Sequence, residues 1–221
     1  ARPCRDGRSS SRMVRRSLRI FEDGGLPYAI QSTVTRDTVD DMSTIVRHFA
    51  RHIRPTMVKF EPVSDCGRFQ GKPDQIPDGK EFARSFGQAD AVAREKGLKL
   101  AFSGLRLWGE GVSHFCGAFG EPFAVTPDGR VSACYEAYSE EAPFAEQFLF
   151  GRYDEEASRF TFDLNKLERL RRRNVYTLDP CRKCFCKYSC GGDCATRNFR
   201  ATRSTDLGVV GARCDAIREI S

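Results

Sequence analysis

The chain has 221 residues, 40% hydrophobic and 30% charged, with a net charge of +6 and ten cysteines. That is enough for one large or two small domains with real cores. No eighteen-residue apolar run, no charged start leading into an apolar segment, and no Gly-X-Y or heptad period occurs, which excludes membrane-spanning helices, a signal peptide, collagen and coiled coil and leads us to expect a soluble, cytoplasmic protein. The 36 basic residues are mostly arginine and are scattered rather than gathered in a tail, so neither a nucleic-acid nor a membrane partner is expected. Ten cysteines without an export signal read as metal ligands rather than disulfides. The opening Ala1-Arg2-Pro3-Cys4-Arg5-Asp6-Gly7 is already loop-like and lacks Met, and we expect a piece of a longer protein.

In chain order, Ser11 is placed to cap a helix with Val14, Leu18 and Phe21 on one face, ended by Gly24-Gly25. The β-branched run from Tyr28 to Thr35 predicts a strand. From Thr38 to Ile53, Val39, Met42, Val46, Phe49 and Ile53 keep a three-and-four spacing, so a helix is predicted up to Pro55. A strand over Met57–Val63, a Pro-, Gly- and Asp-rich loop, a helix over Lys80–Lys96 and a strand over Leu98–Phe102 follow. Such alternation builds a parallel sheet, since parallel neighbours need a crossover. Three or four strands cannot close a barrel, and an open sheet edge with apolar helix faces predicts aggregation of the piece alone. Beyond Leu107 the texture changes: Phe123–Thr126, Pro127-Asp128-Gly129 and Arg130–Cys134 predict a hairpin. Asp163 caps a helix lined by Leu164, Leu167 and Leu170, and the remainder reads as cysteine-laden loop.

The cysteines fall at fixed spacings: Cys116-x12-Gly129-x4-Cys134, then Cys181-x2-Cys184-x5-Cys190-x3-Cys194, then Cys214 nineteen residues on. Thiolates two or three residues apart converge on one metal centre when a tight turn, here Gly191-Gly192, aims their sulfurs inward. Spacing alone leaves two zinc ions and two iron-sulfur clusters equally open, while unliganded buried thiols would crowd one loop to no purpose.

This pattern resembles the seven-cysteine signature of the SPASM domain, which follows a radical S-adenosylmethionine barrel. Arg2-Pro3 with Asp6-Gly7, Ser32-Thr33-Val34-Thr35, and Lys59-Phe60-Glu61-Pro62 with Gly67-Arg68 resemble the later strands and loops of that barrel. The resemblance implies an α/β chain: the C-terminal part of a partial (β/α)6 TIM-like barrel over residues 1–106, then a small, irregular, cysteine-rich domain with a β-hairpin over 107–221. It implies two auxiliary 4Fe-4S clusters, the first held by Cys116, Cys134 and Cys194 and the second by Cys181, Cys184, Cys190 and Cys214. The fourth iron of the first has no ligand in the motif, and Cys186 is the nearest candidate, with Cys66 and Cys4 behind it. The Cys-x3-Cys-x2-Cys loop that binds S-adenosylmethionine and a third 4Fe-4S cluster does not occur in these residues. The expected parent is a radical S-adenosylmethionine oxidoreductase acting on a peptide or protein by hydrogen abstraction, thioether or other crosslink formation. It would be fed by an electron donor such as flavodoxin or ferredoxin, and the piece alone would be inactive. The alternative is a non-catalytic iron-sulfur or zinc-binding interaction module. Relatives that mature sulfatases carry Asp directly after the second cysteine, and here Tyr135 follows Cys134.

Outside the cysteines, Glu61 falls near the C-terminal end of a barrel strand and is a candidate cofactor contact. Ser32, Thr33 and Thr35 have similar placement. His48 and His52 lie one helical turn apart without the Glu that a metalloprotease pair requires. The Arg169–Arg173 group reads as a solvated helix end.

Overall fold

The computed structural model describes residues 4–105, 111–208 and 211–221. The chain divides into two compact units, Ala1–Ser103 and Gly104–Ser221. The expected boundary between residues 106 and 107 lies outside the described residues, as do Arg2 and Pro3.

In the first unit, α1 (Ser11–Asp23), β1 (Ala29–Val34), α2 (Met42–His52), β2 (Met57–Pro62), α3 (Gly79–Glu95) and β3 (Leu100–Ala101) follow in order. The strands form a parallel sheet β1-β2-β3, with Gln31 paired to Lys59 and Thr33 to Glu61. Alternation along the strands separates two faces. Val34, Val58 and Phe60 point to the side where Val39, Met42 and Val46 from α2 and its lead-in, and Phe82, Phe86, Ala89 and Ala93 from α3, bury against them with Phe102. The Phe82 and Phe102 rings stand 5.1 Å apart. Each fully buried aromatic contributes about 1.5–3 kcal/mol, so this single apolar layer holds the unit together. Gln31, Thr33, Lys59 and Glu61 share the opposite face.

Two expectations need correction here. The predicted helix over residues 38–53 begins as a 3-10 turn, Arg36–Asp41, and becomes α-helical only at Met42. The cause is local: Thr38 Oγ1 accepts the Thr35 N–H at 3.0 Å, a side-chain bond that competes with regular helix. Ser11 is the first residue of α1 and not its cap, and its N–H goes to Ser9 Oγ at 3.3 Å.

The second unit carries an antiparallel sheet, β4 (Ala124–Val125), β5 (Arg130–Ser132), β6 (Leu149–Asp154) and β7 (Arg159–Phe162), in that spatial order. Short helices surround it: α4 (Ala145–Phe148), α5 (Leu164–Arg172), α6 (Lys187–Cys190), α7 (Ala195–Thr202) and α8 (Ala212–Ile220). Asp163 caps α5 as expected, accepting from the Lys166 N–H at 2.9 Å. One core gathers Val131, Phe144, Phe148, Phe150, Leu170 and Ala195. The β6–β7 hairpin and helices α6, α7 and α8 replace what reads in sequence as loop. Gly151 and Arg152 interrupt the apolar run of β6, although the alternation Phe160, Phe162 in β7 is a legible strand signal.

Candidate metal centres

The hairpin β4–β5 exists to place Cys134. Gly129, the glycine of the spacing motif, takes φ +78° at its turn, and a Cβ there would come within 3.1 Å of Tyr153, so both conformation and space require glycine. The register slips at Val131/Ser132, and Ser132 Oγ then bonds twice to Cys134, donating to its carbonyl at 2.8 Å and accepting its N–H at 3.2 Å.

Cys134 lies within electrostatic reach of both Cys116 and Cys194. Burial pushes the Cys134 thiol up to about 11, with the neighbouring thiols adding to it. It also pushes Cys116 up. Cys194 Sγ sits 3.1 Å from Thr196 Oγ1, which donates to Glu136 Oε1 at 2.9 Å. Arg200 pairs with the other carboxylate oxygen of Glu136.

Cys181, Cys184, Cys190 and Cys214 line one cleft together with Cys186, Pro180, Gly192, Ile217 and Arg218, enclosing about 380 Å³ including the part open to solvent. Burial pushes Cys190 up to about 11, and raises Cys181 and Cys214. Cys186 is buried beside Cys184, their sulfurs 3.2 Å apart, and burial drives it up to about 12. Cys184 behaves oppositely: burial acts to raise it, but hydrogen bonds from Cys186 and Arg218 outweigh that and lower it.

The backbone N–H two residues further on, at Ala118, Glu136, Cys186 and Gly192, favours the charged form of Cys116, Cys134, Cys184 and Cys190. Such N–H donors favour thiolate over thiol and tune bound iron-sulfur clusters. Four cysteines around one cleft, with backbone N–H groups favouring the thiolate at Cys184 and Cys190, fit a cluster. Among the described residues no group of three His, Cys, Asp or Glu converges closely enough for a single metal ion.

Only three residues separate Cys190 in the second group from Cys194 in the first, and the fold pins them firmly. Gly191 has φ +70°, and a Cβ there would lie 2.6 Å from the backbone of His114 and Phe115, so the segment entering Cys116 packs directly on this link. Asp193 is buried and takes Arg197 Nη2 at 2.6 Å and Arg213 Nε at 3.2 Å. Burial opposes its charge, but the two guanidiniums prevail and hold the carboxyl below its ordinary range. Both cations also stand over the Phe115 ring. Asp193, Arg197 and Arg213 carry no metal-ligand spacing, which is why the sequence does not reveal them.

Elsewhere the placements are less concentrated. Glu61 Oε1 accepts the Ser103 N–H and Oε2 the Ser103 hydroxyl, both at 2.8 Å, and Lys59 Nζ lies 3.3 Å away; its carboxylate thus ties the end of β3 to β2. Thr35 caps the turn before α2, and Thr33 shares the open face of the sheet with Glu61. The His48 and His52 ring centroids lie 4.6 Å apart, the rings tilted by 46°, on the exposed side of α2. Cys66, 3.4 Å from Ser64 Oγ, and Cys4 belong to the first unit, whereas Cys186 joins the second thiol group. The arginine cluster divides: Arg169, Arg171 and Arg172 are exposed on α5, but Arg173 turns inward.

No protein-family model and no curated protein matches the chain. Among solved structures, a histidine-tagged form of anSMEcpe with bound AdoMet superposes with a TM-score of 0.66 at 16% identity, covering 99% of this chain and 58% of that one. Native anSMEcpe with bound AdoMet gives 0.62 at 14% identity, over 99% and 60%. The chain shares their fold. A third neighbour, native anSMEcpe with bound AdoMet and Cp18Cys peptide, gives 0.60 at 16% identity, over 99% and 61% of the two chains. The chain therefore spans about three-fifths of the length of these structures, and its two units correspond to a partial barrel of parallel strands and a small separate domain. No helix among the described residues is long and apolar enough to cross a membrane.

Proposed function

We propose that this chain is the later barrel portion and auxiliary-cluster domain of a radical S-adenosylmethionine enzyme that modifies a peptide or protein. The observation that carries the reading is the sorting of the seven motif cysteines into two groups, Cys116, Cys134 and Cys194 in one and Cys181, Cys184, Cys190 and Cys214 in the other. The neighbours bind AdoMet, and one also binds a peptide, which supports the same class of cofactor and substrate here.

When bound, auxiliary 4Fe-4S clusters supply electron transfer or a docking point for substrate. The work of this chain's own residues is placement. Cys181, Cys184, Cys190 and Cys214 would hold one cluster in the cleft, with the Arg218 guanidinium beside Cys184 offsetting thiolate charge. Cys116, Cys134 and Cys194 would hold the other, with the backbone N–H groups of Ala118 and Glu136 favouring the charged form of the first two. Three thiols leave a fourth position for a further ligand, and Glu136, already held by Thr196 and Arg200, lies nearby. Gln31, Thr33, Lys59 and Glu61 share one sheet face, with Thr33 and Glu61 near the strand C-terminal ends, where barrels of this kind bind their ligands. In the parent enzyme S-adenosylmethionine and a third cluster would be bound by the Cys-x3-Cys-x2-Cys loop, with electrons from a flavodoxin or ferredoxin.

Anaerobic reconstitution of the chain tests the reading. Two clusters predict roughly eight iron and eight acid-labile sulfide per chain. About two zinc with no sulfide would overturn it in favour of a zinc-binding interaction module.

A further inference from the structure

Arg173 stands at the junction of the two thiol groups. It follows α5, lines a small cavity with Cys116, His114 and Ala195, and lies within electrostatic reach of Cys116 and Cys194 from the first group and Cys181 from the second. Its guanidinium is spent entirely on backbone carbonyls: Nε donates to Thr205 O at 2.8 Å, and Nη2 to Gly192 O and Asp193 O at 3.3 Å each. Those last two carbonyls belong to the three-residue link between Cys190 and Cys194. No carboxylate among the described residues lies within ion-pair distance of it, and Asp193, which acts on it electrostatically, is already shared by Arg197 and Arg213.

A largely buried cation whose direct partners are carbonyl dipoles, with the Asp193 carboxylate acting only from a distance, is expensive. Burial accordingly pushes its pKa down. A fold keeps such a charge when an anion completes it, and the groups flanking it are thiols that carry net negative charge once they ligate iron. Resting on the reading above, we infer that Arg173 is a shared counter-ion of both cluster sites, placed at the link so that one cation raises the reduction potentials of the two clusters together. A positive charge favours the more negative, reduced state of a cluster, and net charge around the iron is among the factors that set its potential.

The test compares the reconstituted wild-type chain with Arg173→Met and Arg173→Lys by iron and sulfide content and by redox titration followed by electron paramagnetic resonance. Wild-type iron and sulfide content alone tests the cluster reading, separately from this inference. Arg173→Met is expected to shift both midpoint potentials to more negative values, and Arg173→Lys, which keeps the charge without the fork, to leave both near the wild-type values. If Arg173→Met loads no cluster while Arg173→Lys loads both, the charge requirement is also upheld. Equal behaviour of Met and Lys, whether both lose clusters or both retain wild-type potentials, would reduce Arg173 to a structural clamp and overturn the inference. So would a shift confined to one cluster.

Discussion

The two units solve the problem of stability in different ways. The first stacks α2 and α3 on one face of a parallel sheet and buries Val58, Phe60, Phe82 and Phe102 in a continuous apolar layer. The second has short strands, short helices and an interior in which Asp193, Arg197, Arg213 and Arg173 lie among thiols. Hydrophobic area organises the first, whereas the second adds buried charge and anticipated ligation to an apolar core around Phe148 and Phe150. The contrast teaches that one unit is specified by periodicity and the other by points of attachment.

The sharpest way to break this contrast is to remove the charge at the centre of the second unit. Asp193→Ala leaves Arg197 and Arg213 without their carboxylate, and breaking a buried pair costs about 3–5 kcal/mol. Hydrogen exchange should show protection lost in α7, α8 and the segment around Phe115, with β1 and β2 unaffected. The counterpart is Phe60→Ala, expected to cost about 3–5 kcal/mol in the first unit through lost burial and the cavity left behind. Denaturant unfolding should register that loss while iron loading of the second unit is unchanged.

Gly191→Ala sharpens the role of the link. A residue forced to keep a left-handed φ costs about 1–3 kcal/mol, and the Cβ would press on the His114 carbonyl. Expected are a lower unfolding midpoint and reduced iron uptake. The pH response of the metal-free chain gives a further test. Burial raises the Cys134 and Cys190 thiols to about 11 and Cys186 to about 12, above the ordinary thiol value of 9.0. A raised folded value means stability that is complete below the unfolded pKa and is lost as pH climbs through the folded one. Urea midpoints should therefore fall progressively between about pH 9 and 12, and a chain whose thiols are ligated should lack that loss.

Legibility in the sequence follows the same divide. The first unit can be read because Val39, Met42 and Val46 repeat at helical spacing, β1 is a β-branched run and β2 alternates Val58 and Phe60 with Lys59 and Glu61; what escapes is the 3-10 start before Met42, where Thr35 and Thr38 bond locally. In the second unit the cysteine spacing and the Pro-Asp-Gly turn were legible, and so was Gly129. The β6–β7 hairpin is not, because Gly151 and Arg152 interrupt the apolar run of β6 and leave the short alternation of β7 without a readable partner. Arg173 was read as part of a solvated helix end, since four clustered arginines look alike in sequence and only the packing turns one inward. Asp193, too, has no signal apart from its place between two cysteines.

The central claim, two separate thiol groups each holding its own cluster, is tested most directly by iron and sulfide content in paired double variants. Cys116→Ala with Cys134→Ala, and separately Cys181→Ala with Cys190→Ala, should each lower the reconstituted content by about half, leaving one four-iron cluster. Loss of all iron in either variant, or full retention in one of them, would contradict the assignment of two independent sites.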